Sequence, residues 1–183
     1  IATNKNDILK RVIDTGVYEP LQVEHTISPS MDIQVASNFE RLIFDIFDCD
    51  SDRTIEAMKD LNEKGQFKLN RKEVDKIKNF FYSESLSDDE TKLVINKVYK
   101  DHSFLIDPHT AVALGVSNKI NLEGNTVILA TAHPFKFSKT IVEAVGIKPE
   151  LPKNLDDILV KKEKFESLSK DLQKVKNYIL KKI

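Results

Sequence analysis

The 183-residue chain weighs 20.9 kDa and sets 28 basic against 29 acidic side chains, for a net charge of −1. With 40% apolar and 31% charged residues, it is long enough to bury a core and too apolar to stay disordered. It lacks the basic excess of a dedicated nucleic-acid binder, the long apolar run of a membrane span or signal peptide, and, with Cys49 alone, any internal disulfide framework. These features place it as a cytoplasmic globular protein.

The chain opens on Ile1-Ala2-Thr3, which reads as the end of a buried strand. A natural terminus is usually polar and frayed, so the expectation is a start inside a longer protein. Asn4 to Asp7 can cap a short helix over Ile8–Asp14 that Gly16 ends. Residues 24–32, rich in hydroxyls and poor in core side chains, read as a loop. Ser37 with Glu40 forms a capping-box pattern opening a helix through Phe39, Leu42, Ile43, Ile46 and Phe47. A second amphipathic stretch covers 53–64 and stops at Gly65. Asn70 with Glu73, and Ser87 with Glu90, repeat the capping-box pattern ahead of two further helices. Asp107-Pro108 offers a cap and a first-turn proline for a helix over Ala111–Val116.

Strand signals are sparse. After the turn Gly124-Asn125, the β-branched run Thr126–Thr131 predicts a buried strand. Ser138 can cap a helix over Ile141–Val145, which Gly146 closes. From Asn154 onward, Ile158, Phe165, Leu172 and Ile179 recur at steps of seven and predict a long helix packed on the domain. The pattern is a helix-rich α/β architecture with a few parallel strands. It divides into a catalytic-type domain over 1–145, in which about 50–105 reads as a purely helical insertion, and a C-terminal helix over 146–183.

In open parallel sheets, ligands sit beyond the carboxyl ends of strands. Two segments follow such ends here: Thr3-Asn4-Lys5-Asn6-Asp7 and Thr131-Ala132-His133-Pro134. The Thr131 hydroxyl could meet a heterocyclic nitrogen or simply terminate the strand on backbone. His133 before Pro134 could orient it or just make a rigid turn. Ser37 and Asn38 sit at a helix start, where free N–H groups and the dipole favour an anion, and Arg41 lies one turn on; spacing alone favours a plain loop, a plain cap and a solvated arginine. His25, His102, His109 and His133 are scattered and show no metal-ligand spacing. No glycine-rich phosphate loop, nucleophile elbow or C-x-x-C is present, so residue chemistry alone supplies no nucleophile.

Four segments taken together resemble the threonine synthases: Ala2-Thr3-Asn4-Lys5-Asn6-Asp7-Ile8-Leu9, then Ser28-Pro29-Ser30-Met31-Asp32-Ile33-Gln34-Val35-Ala36-Ser37-Asn38-Phe39-Glu40-Arg41-Leu42, then Asp107-Pro108-His109-Thr110-Ala111, and Thr131-Ala132-His133-Pro134-Phe135-Lys136-Phe137. They stand in the family's order, and the likeness covers residues 1 to about 145. It implies the C-terminal part of a fold type II enzyme that uses pyridoxal 5′-phosphate. The implied reaction turns O-phosphohomoserine and water into threonine and phosphate by β,γ-elimination and replacement.

The likeness also implies an absence. The family's Schiff-base lysine motif and its cofactor-phosphate loop lie upstream of the Ala-Thr-Asn segment, and neither occurs in this sequence. No lysine here takes that role, Lys136 included, and the chain alone is expected to be inactive without an N-terminal half. Thr131 matches the residue that approaches the pyridine nitrogen, where a neutral hydroxyl leaves that nitrogen largely unprotonated. Asn4 and Asp7 are candidates to line the cofactor side, and Ser37, Asn38 and Arg41 to hold the substrate phosphate. Phe135 departs from the small residue common in the family. Two other readings stand beside this one. One is a non-catalytic remnant or regulatory module of the same fold; the other is a different type II lyase such as a threonine dehydratase.

Overall fold

The computed structural model describes residues 1–120, 124–155 and 157–183, without the side chain of Asn154. Among them are eight α-helices and four two-residue strands. Residues 1–150 form one compact unit and 151–183 a second.

Strand β1 (Ala2–Thr3) runs parallel to β4 (Glu84–Ser85). Strand β2 (Val17–Tyr18) pairs antiparallel with β3 (Phe67–Lys68). Helix α1 (Ile8–Thr15) joins β1 to β2 and turns Ile8, Val12 and Ile13 inward. Gly16 ends it at φ +76, and a Cβ there would also meet the Leu69 carbonyl oxygen at 2.8 Å. Glycine alone fits both demands.

Helices α2 (Phe39–Ile46), α3 (Ser51–Lys64) and α4 (Arg71–Lys78) close the first core around Ile43, Ile46, Val74 and Ile77. Tyr18 lies at its centre, with ring centroids 5.6 Å from Phe39 and 4.9 Å from Phe67. Its hydroxyl oxygen accepts the Ala36 N–H at 2.8 Å, so the buried ring is also polar-satisfied. Helices α5 (Asp88–His102), α6 (Pro108–Ile120) and α7 (Ser138–Val145) build a second core on Ile95, Ile106, Ala111 and Ile141. A third cluster, Leu86, Val112 and Val116 with Ala2 and Met31 against it, ties α6 to β1. Among the described residues no helix is long and apolar enough to cross a membrane.

The capping boxes at Asn70/Glu73 and Ser87/Glu90 form as expected. That at Ser37/Glu40 does not. Residues 36–39 instead make a turn in which Phe39 N–H bonds Ala36 O, leaving Asn38 at the cap with no side-chain bond to a helix N–H. Ser138 is the first residue of α7 rather than its cap, because its hydroxyl is spent on Phe135 O at 2.6 Å. The 50–105 stretch is helical but not purely so, since β3 and β4 lie within it and supply the neighbours of β2 and β1.

Two further expectations need correction. The Thr126–Thr131 run is not a strand: it pairs with nothing among the described residues, and Val127 and Leu129 are 82% and 75% exposed. A β-branched run becomes a strand only when a neighbour takes up its N–H and C=O groups. Among the described residues of the second unit, the regular helix is confined to α8 (Leu172–Leu180), capped by Asp171, which accepts from Lys174 N at 2.8 Å. Lys153–Leu155 makes one 3-10 turn, and Phe165 lies in irregular backbone. The expected start at Asn154 falls on an undescribed side chain, and Asp156 also lies outside the described residues. Helices are held chiefly by burying an apolar face, and Ile158, Phe165 and Ile179 remain exposed.

Candidate functional site

The residue that leaves β1 organises a buried polar hub. Asn4 is 1% exposed. Its Oδ1 accepts from Asn6 N at 2.8 Å and Asn6 Nδ2 at 3.1 Å. Its Nδ2 lies 2.7 Å from Thr26 Oγ1, 2.8 Å from Asp32 Oδ1 and 3.0 Å from Ser28 Oγ. Asp32 Oδ1 also takes Thr26 Oγ1–H at 2.6 Å and Asn6 Nδ2–H at 3.2 Å, and Asp32 Oδ2 takes Thr26 N–H at 3.0 Å. One carboxylate thus gathers four donors and folds residues 24–32 over the end of β1. Such networks rigidify a segment when every member is satisfied, as here.

Asp7 stands beside the hub and not in it. Its Oδ1 accepts from Arg11 Nε at 2.9 Å, and the rest of that guanidinium straps the 19–34 loop. Both Arg11 Nη atoms reach Glu19 O at 3.0 Å, and Nη2 also reaches Gln34 Oε1 at 3.1 Å.

Ser37, Asn38 and Arg41 come together in an open cleft of about 560 Å³ that Glu40 and Phe44 of α2 and Ser51, Thr54 and Ile55 of α3 also line. Arg41 Nη2 donates to Asn38 Oδ1 at 2.9 Å, and the other donors of its fork take no partner among the described residues. The helix start contributes less than expected, because Phe39 and Glu40 N–H are already bonded to Ala36 O and Ser37 O. An anion here would be held by the guanidinium more than by the dipole.

Thr131 lies apart from both groups. It is exposed, and its hydroxyl makes no hydrogen bond among the described residues. Its neighbours Ala130 and Ala132 line a cavity of about 540 Å³ with Leu105, Ile106, Asp107 and Thr110. His133 does not orient it, since its Nδ1 accepts Phe135 N–H at 3.2 Å within its own turn. Asp107 forms the polar corner of this cavity. Burial opposes its ionisation, but bonds from the His109 ring, the Thr110 hydroxyl and the His109 backbone N–H outweigh that and hold its carboxyl below its ordinary value.

Sequence reasoning singled out Asn4 but missed its partner Asp32 and the Arg11–Gln34 strap beside it, and passed over Asp107 as a mere cap. The available signal was the Asn-x-Asn spacing at 4 and 6 facing a hydroxyl-rich loop, since short polar side chains so concentrated bond backbone and one another.

Comparison with known proteins finds relatives along the whole chain. The family model described as "Threonine synthase, C-terminal" matches residues 110–179. Threonine synthase of Pseudomonas aeruginosa is 34% identical over 182 residues, covering 98% of this chain and 39% of that protein. The crystal structure of PLP-bound threonine synthase from Brucella melitensis superposes with a TM-score of 0.86 at 38% identity, covering 98% of this chain and 39% of that one. Yeast threonine synthase superposes at 0.83 with 30% identity over 100% of this chain and 42% of its own. The chain therefore spans about two fifths of the length of the curated relatives it matches. The likeness also runs through the C-terminal segment and does not stop near residue 145.

Proposed function

We propose that this chain, which corresponds to the C-terminal portion of the threonine synthases, supplies part of the active site of an enzyme that makes threonine and phosphate from O-phosphohomoserine and water. The observation that carries this reading is the superposition on PLP-bound threonine synthase along 98% of the chain at 38% identity. The remaining three fifths of the relatives' length would bring the Schiff-base lysine and the cofactor-phosphate loop, and sheet neighbours for 126–131. The work belongs in a reducing cytoplasm, in keeping with the exposed, unpaired Cys49.

The residues present fit pyridoxal phosphate at one edge. Thr131, between two alanines that line a largely apolar cavity, offers a hydroxyl uncommitted among the described residues, as a planar heterocycle's nitrogen would need. When bound, the cofactor withdraws electron density from the substrate's reacting carbons. Thr131 would donate its hydroxyl proton to the ring nitrogen as a neutral partner and leave it largely unprotonated, which favours elimination and replacement over transamination. Arg41, with Asn38 holding one of its nitrogens, would bind the substrate phosphate in the α2–α3 cleft, and Ser37 would add a hydroxyl. Asn4 and Asp7 would serve the cofactor side by fixing the loops they bond, Asn4 through Asp32 and Asp7 through Arg11. Every lysine of this chain would remain free of the cofactor.

Two measurements test this. The full-length gene should restore growth of a threonine auxotroph, and failure to rescue sinks the proposal. In the purified full-length protein, Thr131→Ser should keep the product ratio, whereas Thr131→Asp should divert turnover toward 2-oxo acid. An unchanged ratio in Thr131→Asp removes Thr131 from the ring nitrogen.

A further inference from the structure

The stretch Asp107-Pro108-His109-Thr110 has no part in the chemistry above, yet its histidine touches both sides of the candidate site. His109 is 7% exposed. Its Nε2 accepts the Ser30 backbone N–H at 3.2 Å, and its Nδ1 lies 2.9 Å from Asp107 Oδ1. Its ring packs on Phe137 with centroids 4.8 Å apart. An N–H aimed at Nε2 requires an unprotonated nitrogen there, which puts the ring proton on Nδ1, donated to Asp107. Asp107 is fixed in turn by the Thr110 hydroxyl and the His109 N–H, so the imidazole has one allowed orientation.

We propose that His109 is a positioning residue that clasps the 28–32 loop, and with it the Asn4 hub, to the Pro134–Phe137 turn that follows Thr131. The two segments are far apart in sequence, and the ring reaches each by a different means: a directed hydrogen bond to Ser30 and an aromatic contact with Phe137. A purely space-filling residue would need neither the acceptor at Nε2 nor the carboxylate that sets the tautomer. The consequence for catalysis rests on the reading of Thr131 as the cofactor-facing residue; the clasp itself does not.

The two contacts can be separated by substitution. His109→Phe keeps a ring against Phe137 and removes the acceptor. His109→Gln places an amide oxygen near the Nε2 position and removes the ring. Hydrogen exchange of the full-length protein, followed by mass spectrometry on peptides covering 26–33 and 132–138, reads both. His109→Phe should speed exchange in 26–33 roughly five- to tenfold, the loss of about one hydrogen bond, with little change in 132–138. His109→Gln should do the reverse. An ester in place of the Pro29–Ser30 amide deletes the donor from the other side without adding a ring to the turn, and should reproduce His109→Phe even if that variant does not fold. Equal loosening of both peptides in both variants, or an unchanged 26–33 peptide in the ester, overturns the clasp. Exchange needs no turnover, so an inactive protein with the expected pattern would remove the functional reading and leave the clasp standing.

Discussion

The backbone leaves β1 at Thr3 and leaves the 124–131 segment at Thr131, and in sequence the two exits look alike: a short β-branched run, then a small cluster of polar residues. In the structure they differ at every level. At the first exit β1 has a parallel partner in β4, and Asn4 distributes its amide among Asn6, Thr26, Ser28 and Asp32. At the second, Val127 and Leu129 face water and the Thr131 hydroxyl is uncommitted among the described residues. A strand end becomes a scaffold when its polar groups are satisfied within the chain, and stays available to a ligand or another segment when they are not.

The largest test of this contrast is Asn4→Ala, which strands the Asn6 N–H and takes one donor each from Asp32 Oδ1 and Ser28 Oγ. It should cost ~3 kcal/mol in urea unfolding, since several buried groups lose a partner at once. A loss under ~1 kcal/mol would mean the hub is ornamental. Next comes Leu129→Asp, compared in two contexts. In the 183-residue chain it should change stability by less than ~0.5 kcal/mol, because water already covers the side chain. In the full-length protein it should cost ~2 kcal/mol or more as a charge forced into a sheet, and equal small effects in both would deny that 126–131 gains neighbours there.

A smaller effect is expected for Tyr18→Phe, which removes only the acceptor for Ala36 N–H and should cost about 1–2 kcal/mol with the ring stack retained. The smallest concerns pH. Bonds from Lys119 and from the Ser87 backbone and hydroxyl lower the Glu90 pKa from its ordinary 4.5 to about 2. A depressed carboxylate contributes its full stability above the ordinary value and loses it as pH falls toward about 2. The group is 43% exposed at the surface, so Glu90→Gln should cost ~1 kcal/mol or less at neutral pH. The variant should also show a flatter acid limb across that window; a parallel acid limb would contradict the assignment.

What the sequence made legible was local. The capping boxes at Asn70 and Ser87, the left-handed stops at Gly16, Gly65 and Gly146, and the proline start of α6 all depend on residues within one turn, and all appear. The misreadings are non-local. A ladder for 126–131 depends on a neighbour no local pattern names, and the stripe from Ile158 to Ile179 depends on a surface to bury it. The candidate site divides the same way. Ser37, Asn38 and Arg41 were found together because they lie within five positions on one helix start. The bonds from Asn4 to Asp32 and from Ser30 to His109 cross 28 and 79 positions and were invisible to spacing.

The most direct test of the central claim is an assay of the purified full-length protein, supplied with pyridoxal phosphate and O-phosphohomoserine, for both products. The account predicts threonine and inorganic phosphate released in equal amounts. Cofactor uptake without threonine, or phosphate released with a 2-oxo acid in its place, would contradict it.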